Sequence, residues 1–128
     1  MALSLLLDEN ISPVVAEQIL HKRSDIRIQS VHFWRDGAYL SVPDPLLLTA
    51  AHDDGLTLVT YDTQILSDLA YFFEEEIPFS GLIFVDEKTI PGNNFGRLVR
   101  ALIYLWDTQR QLEWTGRLVY LPTPPSEY

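Results

Sequence analysis

The chain has 128 residues, 47% of them hydrophobic, with 18 Asp or Glu against 9 Lys or Arg and a formal charge of −9. That length fits one domain with one core, and the acidic balance excludes nucleic-acid binding over the general surface, so any such contact needs a local basic patch or a metal ion. Cysteine is absent, which excludes disulfides and zinc–thiolate sites and predicts a cytoplasmic protein. The apolar runs are far shorter than a membrane span and no leader-like pattern opens the chain, so no membrane partner is expected.

Leu5-Leu6-Leu7 is an uninterrupted apolar run followed at once by Asp8, Glu9 and Asn10. Such a run wants burial on both faces and predicts a central strand of a parallel sheet. Ser12 is a good N-cap and Pro13 a good first helical residue. The helix they open carries Val15 and Ile19 on one face, with Val14 and Gln18 beside it, and ends near Lys22-Arg23. Ile26 and Ile28 alternate with Arg27 and Gln29, the pattern of a half-exposed second strand. Asp36-Gly37 marks a turn. Asp44 is placed to cap a helix beginning at Pro45 and ending at Asp53-Asp54, with Gly55 just beyond its end.

Leu56 to Tyr61 predicts a third strand. Asp62 or Thr63 caps the next helix, which carries Ile65, Leu66, Leu69, Phe72 and Phe73 and frays through Glu74-Glu75-Glu76. Gly81 to Val85 predicts a fourth strand and Pro91 to Asn94 a loop. Phe95 to about Gln109 has helical spacing, and Leu118 to Leu121 predicts a last short strand. The alternation β-α-β-α-β-α-β-α-β requires helical crossovers between parallel strands. A three-layer α/β/α sandwich with a mostly parallel sheet of four or five strands follows. The domain is expected over residues 1–121, with an irregular tail over 122–128.

Three apolar strands close on acids: Asp8-Glu9, Asp62 and Asp86-Glu87. Ligands of open α/β sheets bind at the carboxyl ends of strands, and neighbouring strands lie about 4.8 Å apart, so acids at adjacent strand ends can share a hard cation. Asp8 and Asp62 directly follow apolar strands and form the best pair. Asp44, at a helix start, is the third candidate, and Glu9, Asp86 and Glu87 are weaker ones. The bland alternative for Asp44 and Asp62 is helix capping alone, and for Asp86-Glu87 a solvated loop. His21, His32 and His52 lack ligand spacing. Trp34, Trp106 and Trp114 read as core or interface rather than base-stacking platforms. No glycine-rich phosphate loop follows the first strand, and no serine sits in a nucleophile elbow.

The segments Leu6 to Pro13, Pro43-Asp44, Leu58 to Asp62 and Gly81-Leu82-Ile83 resemble the small PIN-like domains of bacterial proteins, within the PIN superfamily of metal-dependent ribonucleases. The resemblance covers roughly residues 3 to 85. It implies a PIN-like fold, Mg²⁺ or Mn²⁺ held by Asp8, Asp44 and Asp62 with Glu9 close by, and water attacking an RNA phosphodiester. It further implies the toxin of a toxin–antitoxin pair, hence an antitoxin-like protein partner, with a homodimer also compatible. The family pattern after the third strand is Thr-x-Asp-x-Asp-Phe, whereas this chain has Gln64 and Ile65 at the last two positions. A carboxylate is therefore missing where a second ion gains charge, and Asp68, one helical turn on, is the available substitute. The competing expectation is a PIN-like binding module with little or no nuclease activity that works through a partner. A receiver-like phospho-acceptor, with Asp8 and Glu9 for Mg²⁺ and Asp62 as acceptor, is a third. It calls for a hydroxyl and a lysine at later strand ends.

Overall fold

A computed structural model describes residues 2–128. Five strands form one all-parallel sheet: β1 (Leu5–Leu7), β2 (Ile28–Ser30), β3 (Thr57–Thr60), β4 (Leu82–Phe84) and β5 (Leu118–Tyr120), in the order β2-β1-β3-β4-β5. Four α-helices connect them: α1 (Val14–Lys22), α2 (Asp44–Asp53), α3 (Ile65–Glu74) and α4 (Phe95–Gln109). The expected three-layer α/β/α arrangement is what the chain adopts.

Strand alternation divides the apolar side chains into two cores. Leu5, Leu7, Val59 and Ile83 face α1 and α4, where Val15, Ile19, Leu98 and Leu102 meet them. Leu6, Leu58, Leu82 and Phe84 face α2 and α3, against Leu47, Leu48, Leu69 and Phe72. This explains why Leu5 to Leu7 could not alternate with polar residues: all three are fully buried, because β1 is central and both sheet faces are covered. The tryptophans are core residues, as read from the sequence, and Trp34, Trp106 and Trp114 are all buried.

The strands are shorter than their apolar runs. Leu56 and Val85 are buried just outside β3 and β4, although the Val85 amide still bonds to the Thr60 carbonyl at 2.9 Å. Ser12 accepts the Val14 amide at 3.3 Å and stands one residue further from α1 than a cap, with Pro13 between. Gly55, at φ 69°, follows α2 as expected, and the Leu56 and Gly55 amides close back on Ala51 and His52. Asn94, at the end of the expected loop, caps α4 by accepting the Arg97 amide at 3.1 Å. The tail has no regular structure, but Tyr128 donates to Asp107 at 3.0 Å and packs edge-on against Tyr104. Among the described residues no helix is long and apolar enough to cross a membrane.

Candidate functional site

β1 has β2 on one side and β3 on the other, so the chain reverses its direction of growth across the β1/β3 boundary. That boundary is the switch point of a doubly wound sheet, where strand ends leave a crevice. Asp8 leaves β1 there and Asp62 leaves β3 two residues after Thr60.

Asp8 is 6% exposed and held on both sides. Its amide donates to the Val59 carbonyl at 2.9 Å. Its Oδ1 accepts the Glu9 amide at 2.8 Å, and its Oδ2 accepts the Thr60 hydroxyl at 2.6 Å. Burial raises the Asp8 pKa, the two hydrogen bonds oppose this, and the charges of Glu9 and Asp62 add to the rise. Thr60, itself buried, accepts the Asp62 amide at 3.0 Å. One hydroxyl thus joins the loops that carry Asp8 and Asp62.

Asp62 also does local work. Its Oδ1 accepts the Gln64 amide at 2.9 Å, which sets the turn into α3. Asp62 is thus not the expected cap of α3, since Gln64 holds the cap position and no side chain caps the helix; among the described residues the other Asp62 oxygen has no protein partner.

Asp44 departs from expectation. It was read as the cap of a helix starting at Pro45, but α2 begins at Asp44 itself, because the Leu46 and Leu47 amides both bond to the Pro43 carbonyl. Its carboxylate makes no capping bond. It faces the other acids instead: burial first, then Asp8, Asp62, Asp68 and Glu9, push its pKa up to about 6. Asp68, in the first turn of α3, thus belongs to the same acidic group.

Glu9 has a positioning role. Its Oε1 accepts the Ser41 amide at 2.6 Å, and its carbonyl meets His32 Nε2 at 2.8 Å. These bonds hold the loop ahead of Asp44, where Ser41 adopts a left-handed φ of 61°. His32 thus has a structural use that its spacing in the sequence did not show. Asp86 accepts the Lys88 amide and the Thr89 hydroxyl, and Glu87 accepts the Gly92 amide, so both organise their own loop.

No base offsets the acids. The ion pairs among the described residues are Arg23 with Asp25 and Asp107, and Arg35 with Asp54. Lys22 and Arg23 close α1 at the far end of the sheet, where Arg23 binds the last turn of α4 through both Asp107 oxygens, at 2.9 and 3.0 Å. They cannot serve the acidic end. Arg97 and Arg100, early in α4, and Lys88, just after β4, are on the acidic side.

An all-oxygen, uncompensated donor set suits a hard divalent ion. The spacing is less favourable: among the described residues no three His, Asp or Glu groups lie within reach of one ion. The donors fit the ion in kind, and the Asp44 carboxylate makes no capping bond. At the ends of β4 and β5 stand Val85-Asp86 and Leu121-Pro122, so the hydroxyl and lysine of a phospho-acceptor site are missing there. Two recesses lie elsewhere. One of about 360 Å³ is at the opposite end of the strands, beside Thr57, Ser80 and Trp114, where His52 Nδ1 and the Ser80 hydroxyl sit 2.7 Å apart. The other, about 230 Å³, runs along β2 beside Leu20 and Phe33.

Fold and site together define an all-parallel, doubly wound α/β domain with a carboxylate cluster at its switch point. No family model, curated protein or solved structure matches the chain.

Proposed function

We propose that the protein is a PIN-like, metal-dependent endoribonuclease using Mg²⁺ or Mn²⁺ at Asp8, Asp44 and Asp62, with Glu9 holding the adjoining loop. The supporting observation is that Asp8, Asp44 and Asp62 come from three separate elements at one end of the sheet, and that burial first, then the charges of Asp8 and Asp62, push the pKa of Asp44 up to about 6. A divalent ion there supplies charge neutralisation and Lewis acidity for phosphodiester hydrolysis. Asp8, fixed by Thr60 and the Glu9 amide, offers the rigid ligand, Asp44 a carboxylate without a capping bond, and Asp62 its unpartnered oxygen. Arg97, Arg100 and Lys88 are the side chains positioned to meet RNA phosphates. A toxin acting beside an antitoxin-like partner in the cytoplasm is the biological setting that goes with this reading.

Two observations favour a second reading, a PIN-like binding module with reduced or no cleavage that acts through a protein partner. Gln64 stands where the family has an acid, and no three acidic groups are drawn around one point.

Titration with Mn²⁺ and assay on a mixed single-stranded RNA pool separate the two. An ion bound only by the folded state stabilises it by about 2.7 kcal/mol at a hundredfold excess over Kd. With one acid missing, the nuclease reading expects millimolar affinity, a small rise in melting temperature that vanishes in Asp62→Asn, and slow cleavage that falls steeply with salt. Equal cleavage by wild type and Asp8→Asn would overturn it. No cleavage and no melting shift would leave the binding module.

A further inference from the structure

β5 extends one strand beyond the helices on one side of the sheet. In register, Leu118 stands beside Leu82 and Tyr120 beside Phe84, both part of the core under α2 and α3. The Tyr120 ring lies 5.8 Å from that of Phe84, which places it on that same face. Yet Leu118 is 42% and Tyr120 63% exposed. No helix covers them.

The flank of α3 toward β5 is apolar as well. Ile65, Leu69 and Phe72 form the buried face of α3. At about 100° per residue, Leu66 and Phe73 fall on one flank and Asp68, which faces Asp44, on the other. Leu66 is 40% and Phe73 57% exposed. Phe73 packs edge-on against the buried Phe79 at 5.7 Å, and the Phe79 carbonyl accepts the Gly116 amide just before β5, so this flank of the helix and the start of the strand meet at Phe79.

We propose that this ledge is a docking site for a basic amphipathic helix of a partner protein. A helix fits because the ledge lies in the α2/α3 layer: helix axes pack about 8–10 Å apart and strands about 4.8 Å apart, so the uncovered strand is where the next helix of that layer would lie. Leu66 and Phe73, two turns apart, span about 10.5 Å, the reach of i and i+7 anchors on a partner helix. Charge sets the partner's sign. Glu74, Glu75 and Glu76 are exposed at the Phe73 end and take part in no ion pair among the described residues. Arg117, just before β5, turns to the other face, bonding Gln109 and lying 5.1 Å over the Trp114 ring. A second copy of the chain, also at −9, would bring like charge to this edge.

The test uses the full chain and a fluorescent amphipathic peptide with leucines at i, i+3, i+4 and i+7 and lysines on its polar face. A peptide with the same leucines and glutamates in place of the lysines is the comparison. The lysine peptide should bind one to one. The double variant Phe73→Ser with Tyr120→Ser should weaken it about tenfold or more while still melting cooperatively, at a somewhat lower temperature because the rings touch Phe79 and Phe84. Glu74→Gln with Glu75→Gln and Glu76→Gln should weaken it too, whereas Phe33→Ser, on an exposed ring at the far edge, should not. The proposal fails if the lysine peptide does not bind, if the glutamate peptide binds equally, or if Phe33→Ser weakens binding as much as the ledge variant. It also fails if sedimentation shows a dimer that the ledge variant dissolves, which would make a second copy the occupant.

Discussion

Thr60 holds the acidic end together. Its hydroxyl donates to Asp8 and accepts from the Asp62 amide, all within a buried position. Thr60→Val keeps the shape and removes both bonds, leaving a buried carboxylate oxygen and an amide without partners. The expected loss is about 1–3 kcal/mol of unfolding free energy by denaturant titration, with Thr60→Ser close to wild type. Asp8→Asn balances two effects, because it relieves repulsion from Glu9 and Asp62 but cannot accept from both donors at once, so its stability should stay within about 1 kcal/mol of wild type. Asp44 gives the pH dependence. Its folded pKa of about 6 lies above the ordinary 3.8, so the native state binds more protons between those values. Stability then falls as pH rises through that window. The acids held low by arginines, Asp54 and Asp107, act in the opposite sense below the ordinary carboxylate range. Melting curves should show wild type gaining stability from about pH 7 to about pH 5, with the gain reduced in Asp44→Asn and the remainder coming from Asp8, whose pKa is also raised by burial. Allowing for solvent screening, the difference is on the order of 1 kcal/mol.

At the scale of elements, two glycines show how connections are constrained. Gly55 ends α2 at φ 69° with open space around a would-be Cβ. Gly55→Ala should cost only the left-handed backbone term, about 1 kcal/mol. Gly81 enters β4 at φ 95°, and a Cβ there would sit 2.7 Å from the Trp114 carbonyl oxygen and 3.0 Å from its ring. Gly81→Ala therefore adds a backbone clash to the strain. Its loss in denaturant midpoint should clearly exceed that of Gly55→Ala, and equal losses would mean that the segment before β5 yields freely. Periodicity located each helix to within a residue or two, since a continuous stripe of apolar side chains must meet the sheet. It overextended β3, β4 and β5 at their ends, because an apolar run reports burial, not residue pairing.

Over the whole molecule, a charge of −9 is set against three ion pairs among the described residues. Self-repulsion of this kind is screened by salt. Raising NaCl from about 20 mM to about 300 mM should raise the melting temperature, and a double Asp8→Asn, Asp44→Asn variant should respond less. A specific divalent site would appear as a further rise with Mn²⁺ at matched ionic strength. The unequal covering of the sheet is also a whole-molecule property. α2 and α3 lie over one face but leave β5 bare there, while α1 and α4 close the other face over Ile83 and Val119.

The sequence by itself determined the α/β class, the order of the elements, the buried first strand and the three acids at strand ends or a helix start. Each of these follows from local pattern: apolar periods, turn residues and the polar residue that ends an apolar run. Only the tertiary structure decided the strand order that makes β1/β3 a switch point, and with it the electrostatic coupling of Asp8, Asp44, Asp62 and Asp68. It also decided that Glu9 turns to the Ser41 amide, that Thr60 joins two loops, that Arg23 belongs to the opposite end, and that β5 leaves a ledge beside α3. These depend on contacts between residues far apart in the chain, and side-chain direction across a sheet is set by pairing partners that no local window contains.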